Sequence, residues 1–235
     1  MNKKLFADGI QALTATVTEE QIEQFAKYSE LLVEWNEKMN LTAVTDPDGI
    51  AVKHFLDSIL PIYHINFESV ESIADIGTGA GFPGIPLKIM MPDKRLTLID
   101  SLNKRINFLN AVVEEIGLRN AKCIHGRAEE MGKKAEYREK FDAVVSRAVA
   151  NMKVLCEYCL PFVKVGGMFV ALKAENAEEE LEAAKPMIGT LGGKVEKVIT
   201  VPLPMSDITR ELIVVRKVAP TPVKFPRRAD KIKKG

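Results

Sequence analysis

Four glycines and a carboxylate lie close together in the segment DIGTGAGFPG at positions 75–84. The segment leaves a predicted strand and enters a predicted helix, which is the setting of a nucleotide-binding glycine loop. Glycine lets the backbone turn sharply and approach a bound molecule closely. Gly79, Gly81 and Gly84 have the G-x-G-x-x-G spacing of dinucleotide sites, and Gly77 precedes them. The loop therefore predicts a binding site for a nucleotide-like cofactor.

Electrostatics separates two cofactor classes that such a loop could hold. Asp75 ends the predicted first strand, so a pyrophosphate lodged on the loop would face a carboxylate. At about 5 Å and an effective dielectric constant near 20, this repulsion is on the order of 3 kcal/mol. S-adenosylmethionine has no phosphate, and its sulfonium and α-ammonium groups are attracted by a carboxylate. The sequence therefore favours S-adenosylmethionine, and NAD remains the alternative.

Residues after the next two strands extend the predicted cofactor site. Asp100 closes the second strand, where a carboxylate can accept hydrogen bonds from both ribose hydroxyls. Its alternative role is to cap the helix that follows. Ala128 and Glu129 follow the third strand, at the ligand edge of such sheets, and are predicted to frame the adenine. Their alternative is an ordinary charged helix start.

An alternation of apolar strands and helical segments after residue 71 must position these residues. Strands are predicted at 72–76, 95–100, 121–125, 141–146, 168–173, 194–201 and 211–216. Helices are predicted at 84–91, 103–116, 149–160 and 175–188. Strands that alternate with helices form parallel sheets, whereas the last two strands have no helix between them and predict an antiparallel pair. By fold analogy this is an α/β, Rossmann-like class I methyltransferase with a seven-stranded, mostly parallel sheet.

The chain has three predicted parts that differ in pattern and charge. Residues 1–70 form a helical extension with five Lys against eleven Asp and Glu. Residues 71–218 form the S-adenosylmethionine-binding methyltransferase domain. Residues 219–235 form a basic tail, and the last twenty residues hold eight Lys and Arg against one Asp. Such a tail is suited to polyanionic phosphate, and its alternative is a solvated, disordered end.

The extension shows two helix starts. Thr18 and Gln21 have the spacing of a capping box, and Asp46-Pro47 opens a second helix. In that second helix His54 and Asp57 share one predicted face, where they line the pocket or, alternatively, serve as capping and core-polar residues.

The composition excludes several classes of protein. With 46% hydrophobic and 28% charged residues, the chain is typical of a globular protein. It has no apolar run of about 18 residues, and the segment MNKKLFADGI lacks the apolar core and the small-residue cleavage site that a secretory leader needs. Three cysteines are too few for a disulfide framework, and Cys156-x-x-Cys159 lacks a partner pair, so we expect buried thiols and no metal. The expectation is a cytoplasmic, monomeric protein.

Seven separate strings, spread over nearly the whole chain, resemble the glucose-inhibited division protein B family of 16S ribosomal RNA guanine-N7 methyltransferases. They are WNEKMNLTA (35–43), KHFLDS (53–58), DIGTGAGFPGIPL (75–87), DSLNKRINFL (100–109), GRAEE (126–130), SRAVA (146–150) and LK (172–173). Jointly they are far more specific than the glycine loop. The resemblance implies the cofactor S-adenosylmethionine, a partner in 16S rRNA or the small-subunit particle, and cofactor contacts at five positions. These positions are Gly77, Phe82, Ala128, Glu129 and Arg147.

Chemistry at guanine N7 requires no general base, because that nitrogen has an unprotonated lone pair in the ring plane. The enzyme must mainly align the base with the methyl donor. Arg127, Arg147 and Lys173 follow strands and are predicted to place the substrate through O6 or phosphate. For Arg127 the alternative is an ion pair with Glu129 or Glu130.

Further RNA contacts are predicted at the extension, at the end of the fifth strand and at the tail. The residues are Lys53, His54, Lys173, Arg227 and Arg228. Phe82 is a candidate stacking surface for the target base, with a packing role as the alternative. The tail keeps the basic start of the family pattern but lacks its Gly-x-Pro portion. A non-catalytic RNA-binding or ribosome-assembly protein on the same fold is a further alternative.

Overall fold

Seven strands form one mixed sheet within residues 1–147, 150–175 and 177–232, which the computed structural model describes. They are Ser72–Ile76 (β1), Arg95–Asp100 (β2), Ala121–His125 (β3), Phe141–Arg147 (β4), Val163–Ala174 (β5), Gly193–Pro202 (β6) and Thr209–Lys217 (β7). Their order is β3-β2-β1-β4-β5-β7-β6, and only β7 runs antiparallel to its neighbours. The predicted fold class is therefore confirmed.

The central strands are buried along almost their whole length because both of their faces are covered. All five residues of β1 are buried, as are all but the last of β4. The bounds of the first three strands are those predicted from the sequence. Strand β5 begins five residues earlier than predicted, because Val163 pairs with Phe141 across the sheet.

Helices flank the sheet and precede it. They are Lys3–Ala12 (α1), Glu19–Met39 (α2), Pro47–Gly49 (α3), Asp57–His64 (α4), Gly84–Met90 (α5), Asn103–Glu115 (α6), Ala128–Met131 (α7), Met152–Cys159 (α8), Glu178–Thr190 (α9) and Ala229–Ile232 (α10). Part of the predicted helix 149–160 and of the string SRAVA lies at 148–149, outside the described residues. Position 176, in the predicted helix 175–188, is also outside them.

The predicted helix starts of the extension form as expected. Thr18 Oγ1 accepts from the Gln21 backbone N–H, and Gln21 Oε1 accepts from the Thr18 N–H, which completes the capping box. Asp46 caps α3, with Pro47 in the first helical position. No helix of the described residues combines the length and the apolar character needed to cross a membrane.

The second predicted helix of the extension differs from a plain α-helix. Residues Ile50–Leu56 form a π-helix between α3 and α4. A π-helix has a wider turn, so residues four apart no longer lie directly above one another. Asp57, the first residue after the π-helix, forms ion pairs with Arg147 and Arg210.

The extension shares one hydrophobic core with the sheet. Phe6, Phe25 and Phe55 pack in the same buried cluster as Ile73 of β1 and Val145 of β4. A second cluster on the other face joins the sheet to α8 and α9 and includes Phe225 of the tail. The helices before residue 70 are thus held directly against the strands that end in the glycine loop.

Candidate cofactor and substrate site

A cavity of about 530 Å³ opens at the carboxyl ends of the central strands. This is the edge at which sheets of this type hold ligands, next to the point where the strand order reverses. The predicted cofactor residues that line it are Gly77, Gly79, Phe82, Asp100, Ala128, Glu129 and Arg147. Asp75 and Gly81 do not line it. The loop and three strand ends therefore meet around one space.

The glycines of the loop have two different reasons for lacking a side chain. Gly77 and Gly79 have φ angles of 71° and 62°, a region that L-residues rarely adopt. A Cβ on Gly79 would meet no atom within 4 Å, so this backbone faces open space. At Gly81 (φ 98°), a Cβ would lie 2.6 Å from Tyr28 Oη. The first two glycines shape the cavity wall, and the third lets Tyr28 of α2 lie close to the loop backbone.

Tyr28 fixes the loop from the helical extension. Its hydroxyl donates to the carbonyl of Ala80, and its ring stacks on Phe82 with centroids 5.4 Å apart. Burial raises the pKa of the Tyr28 phenol well above its usual value, so the phenol remains a donor. Sequence analysis missed this residue because it lies on an amphipathic helix far from the loop, with nothing in its spacing to mark it.

Asp75 lies beneath the loop, and the expectation that its side chain faces the cofactor was wrong. It is fully buried. Its Oδ2 accepts from the Gly84 N–H at 2.8 Å and from Thr78 Oγ1 at 2.7 Å. A Cβ on Gly84 would lie 2.8 Å from that oxygen, so the close approach requires glycine. The carboxylate therefore organises the loop from inside.

This position of Asp75 changes what the start of α5 can bind. Phosphate-binding loops use free N–H groups at the start of the following helix. Here the Gly84 N–H donates to Asp75, those of Ile85 and Leu87 donate to carbonyls one turn earlier, and Pro86 has none. Within this turn the backbone donors are already satisfied. A pyrophosphate placed here would find no free N–H donor in this turn. It would also lie close to the buried Asp75 carboxyl group.

Asp100 faces the cavity and also supports the loop. Its Oδ2 accepts from the Gly79 N–H at 2.9 Å and from Arg105 at 3.3 Å, and its Oδ1 accepts from the Leu102 N–H at 2.9 Å. Leu102, not Asp100, occupies the N-cap position of α6. The carboxylate is thereby fixed in orientation while it lines the cavity.

Arg147 is held by a charge cluster that joins three parts of the chain. Asp57, whose side chain is 2% exposed, accepts from Arg147 Nη1 at 2.8 Å and from Arg210 Nε at 2.7 Å. The Arg147 guanidinium lies 4.9 Å from the Phe82 ring centroid. Sequence analysis missed Arg210, because only the strand pairing of the completed sheet brings β7 to this place.

His54 stands between this cavity and a second depression. Its ring stacks on Phe82 with centroids 4.6 Å apart, and its Nε2 lies 2.9 Å from Thr42 Oγ1. Burial and the nearby Arg147 charge lower the pKa of His54 to about 4. The imidazole is therefore neutral at neutral pH. Phe82 is already covered by protein groups, which agrees with the packing alternative for it.

The second depression, of about 550 Å³, shares His54 and Arg147 with the cavity. Lys53, Lys173 and Arg210 also line it. Lys173 was expected to be available for substrate, but its Nζ forms an ion pair with Glu180 at 2.9 Å and donates to the Ala150 carbonyl. The two spaces adjoin at His54 and Arg147, and charges of both signs line the second depression: Lys53, Arg147, Lys173 and Arg210 with Asp57, Glu175 and Glu180.

Among the remaining predicted placement residues, Arg127 is the exposed one. Its side chain is 62% exposed, lines the cavity and lies 3.9 Å from Glu129. That separation is at the limit of an ion pair and leaves the guanidinium accessible. Cys156 and Cys159 are fully buried on α8, as expected. The described residues hold no group of three or more metal-ligating His, Cys, Asp or Glu.

The described part of the tail, residues 219–232, is docked on the protein, in contrast to the solvated alternative. Arg227 was expected to contact RNA, but it forms a bidentate salt bridge with the buried Glu157 of α8. Arg228 remains 86% exposed. Lys233 and Lys234 lie outside the described residues.

Comparison with known proteins shows which family this chain is similar to. The profile of the rRNA small subunit methyltransferase G family matches residues 21–209. The chain is 50% identical to Ribosomal RNA small subunit methyltransferase G of Exiguobacterium sibiricum, over 97% of this chain and 96% of that one. It is 51% identical to the protein of that name from Brevibacillus brevis, with the same coverage of both chains.

Solved structures share the fold at low identity. Precorrin-6y C5,15-methyltransferase from Geobacter metallireducens has a TM-score of 0.52 at 16% identity, covering 68% of this chain and 87% of that one. M. jannaschii TYW2, solved in complex with AdoMet, has a TM-score of 0.53 at 17% identity, covering 69% and 77%. The fold is thus the Rossmann-like fold of class I methyltransferases. Within that class, the chain belongs to the rRNA small subunit methyltransferase G family.

We predict that Asp57→Ala lowers the free energy of unfolding by about 3 kcal/mol, because two partly buried guanidinium groups lose their common counter-charge. The exposed pair of Lys4 with Asp8 provides a matched control, and Asp8→Ala is expected to cost less than about 1 kcal/mol. Urea unfolding at neutral pH measures both. Equal effects of the two substitutions would contradict a stabilising role of the cluster.

We predict that ionisation of Asp75 opposes folding. Burial raises the pKa of Asp75 from 3.8 to about 7, so the folded chain keeps a proton that the unfolded chain has lost. Its contribution to stability is complete below pH 3.8 and declines as the pH rises through 7. Relative to Asp75→Asn, the wild type should lose on the order of 1 kcal/mol per pH unit in that window. Urea unfolding of both proteins at several pH values tests this, and a difference that is independent of pH would refute it.

Proposed function

We propose that this protein transfers a methyl group from S-adenosylmethionine to N7 of a guanine in 16S rRNA. Membership of the family supports the reaction and the substrate class. The observation that carries the cofactor assignment is the bond from the Gly84 N–H to the Asp75 carboxylate. It occupies the place at which a dinucleotide would need its pyrophosphate bound.

The cavity suits a nucleoside that has no phosphate. Asp100 is oriented by three donors and, as a carboxylate, retains acceptor capacity for the ribose hydroxyls. The backbone of Gly77 and Gly79 is open toward the same space, and Ala128 with Glu129 would border the adenine. When bound, S-adenosylmethionine supplies an electrophilic methyl group on a positively charged sulfur.

The adjoining second depression supports placement of the target base beside that methyl group. It shares His54 and Arg147 with the cavity, so a base bound there would meet the cofactor site at these two side chains. Asp57 and Arg210 fix the Arg147 guanidinium, which makes it a prepared donor for guanine O6 or a phosphate. Since N7 has no proton to remove, alignment is the main task of these residues.

The charges around the depression also suit the product. Methylation at N7 makes the purine cationic, so an unpaired positive charge close to the ring would oppose the reaction. The Arg147 guanidinium is paired with the Asp57 carboxylate. His54 avoids this, because its low pKa keeps the ring neutral. Phosphates farther from the reacting atom would be bound by exposed cations, namely Lys53, Arg127 and Arg228. The proposed partner is 16S rRNA or the small-subunit particle, bound in the cytoplasm by one copy of the chain.

We predict that Asp100→Ala weakens binding of S-adenosylhomocysteine by about 1–3 kcal/mol, or about five- to hundredfold in Kd, through loss of charged hydrogen bonds to the ribose. Asp93→Ala is the matched control, because Asp93 precedes β2 at the opposite edge of the sheet. Isothermal titration calorimetry measures both variants. A Kd unchanged in Asp100→Ala would restrict that carboxylate to a supporting role in the loop.

We predict that the purified protein forms 7-methylguanosine in small subunits from a strain that lacks the gene. Borohydride–aniline cleavage followed by primer extension detects the product. Gly77→Asp should abolish the product, because a side chain at φ 71° distorts the loop. Gly189→Asp should retain it, since Gly189 lies on α9 with open space around it. No product from the folded wild type, confirmed by circular dichroism, would favour the non-catalytic alternative.

A further inference from the structure

The segment that follows β7 is anchored in its first half by two neighbouring residues of the main domain. The Arg138 guanidinium donates to the carbonyls of Thr221 at 2.7 Å and Phe225 at 2.8 Å. Glu139 accepts from the Thr221 N–H at 2.7 Å. Phe225 itself is buried in the core beside α8. Residues 219–226 therefore belong to the folded body.

The second half of the segment is held by the ion pair of Arg227 with Glu157 and by the buried side chain of Ile232. Glu157 of α8 is 1% exposed and accepts from Arg227 Nε at 2.9 Å, Arg227 Nη2 at 2.7 Å and the Arg227 backbone N–H at 2.7 Å. Bidentate pairs of this kind are strong and directional. Loss of the cation would leave a buried carboxylate without its counter-charge, which is costly. Arg227 therefore fixes where the chain runs next.

The chain next reaches the cofactor cavity. Ala229, two residues beyond Arg227, lines the cavity, and so does Tyr158, the neighbour of Glu157 on α8. Ile232 at the end of α10 is buried. The ion pair thus lies directly behind a part of the cavity wall that is built from both α8 and the tail.

We propose that residues 227–232 form a clasp that completes the cofactor site, and that Glu157 is the positioning residue that holds it. The proposal rests on the cavity being the S-adenosylmethionine site. With the clasp docked, Ala229 closes one side of the cavity; with the clasp released, that side is open to water. In this proposal the Arg227 guanidinium binds the buried Glu157 carboxylate and does not bind RNA.

Binding and docking must then be linked in both directions. If the docked clasp improves cofactor affinity by some factor, bound cofactor favours the docked clasp by the same factor. A segment that only stabilises the fold would show no such reciprocity. Trypsin cleavage after the exposed Arg228 reports the released clasp, and calorimetry reports affinity.

The test uses the full chain with Glu157→Gln, which keeps the side-chain shape and removes the charge. We expect Kd for S-adenosylhomocysteine to rise about tenfold and cleavage after Arg228 to become faster. In the wild type, S-adenosylhomocysteine should slow that cleavage. Arg227→Lys, which keeps the charge but not the bidentate geometry, should lie between the two proteins.

Glu196→Gln is the matched control, because it breaks an ion pair of similar length with Arg216 between β6 and β7. It should leave both readouts at wild-type values. A second variant, which ends at Pro226 and carries Glu157→Gln, keeps the Arg138 anchors and removes the clasp; it should bind as weakly as Glu157→Gln alone.

Two outcomes would overturn the clasp alone. One is faster cleavage of Glu157→Gln with the wild-type Kd, which would make the segment a structural strap. The other is unchanged cleavage of that variant, which would show that the ion pair does not hold the segment. A folded wild type that does not bind S-adenosylhomocysteine would overturn both this proposal and the proposed function.

Discussion

The bond between the Asp75 carboxylate and the first N–H of α5 determines what this glycine loop can hold. In a dinucleotide site the start of that helix receives a phosphate. Here the buried carboxyl group of Asp75 has taken the same place, and the remaining donors of the turn are bonded to the chain itself. The loop keeps the tight backbone path of a nucleotide site while it loses the attraction for pyrophosphate. Asp100 is one of the charged side chains that line the cavity.

The helical extension completes this site from outside the sheet. Tyr28 bonds to the loop carbonyl of Ala80, and the π-helix brings Asp57 to a position where it bridges Arg147 and Arg210. Each contact joins segments that are far apart in sequence. The extension, the loop and the end of the sheet therefore form one unit, which fixes the position of the cavity relative to the second depression.

The sequence was most informative where a pattern is local. Strand bounds follow from apolar runs, because a fully buried parallel strand has no polar face, and the capping box at Thr18 needs only residues three apart. It was least informative where a side chain had to choose between two sides of the backbone. The spacing of Asp75 placed it at the loop, but only packing decides that its carboxylate points inward.

Charge in the tail illustrates the same limit. A cluster of Lys and Arg reads as a surface for phosphate, yet Arg227 pairs with a buried glutamate 70 residues earlier in the chain. No local rule connects the two positions, since the contact exists only after α8 and β7 have packed together. The π-helix at Ile50–Leu56 was missed for a related reason: its wider turn leaves the apolar pattern of an α-helix largely intact.

The most direct test of the account is a pair of calorimetric titrations of the wild-type protein, one with S-adenosylhomocysteine and one with NADH. With Asp75 seated at the start of α5, S-adenosylhomocysteine should bind and NADH should give no binding heat at the same concentrations. Saturable binding of NADH, with none of S-adenosylhomocysteine, would contradict the central claim that an internal carboxylate excludes pyrophosphate from this loop.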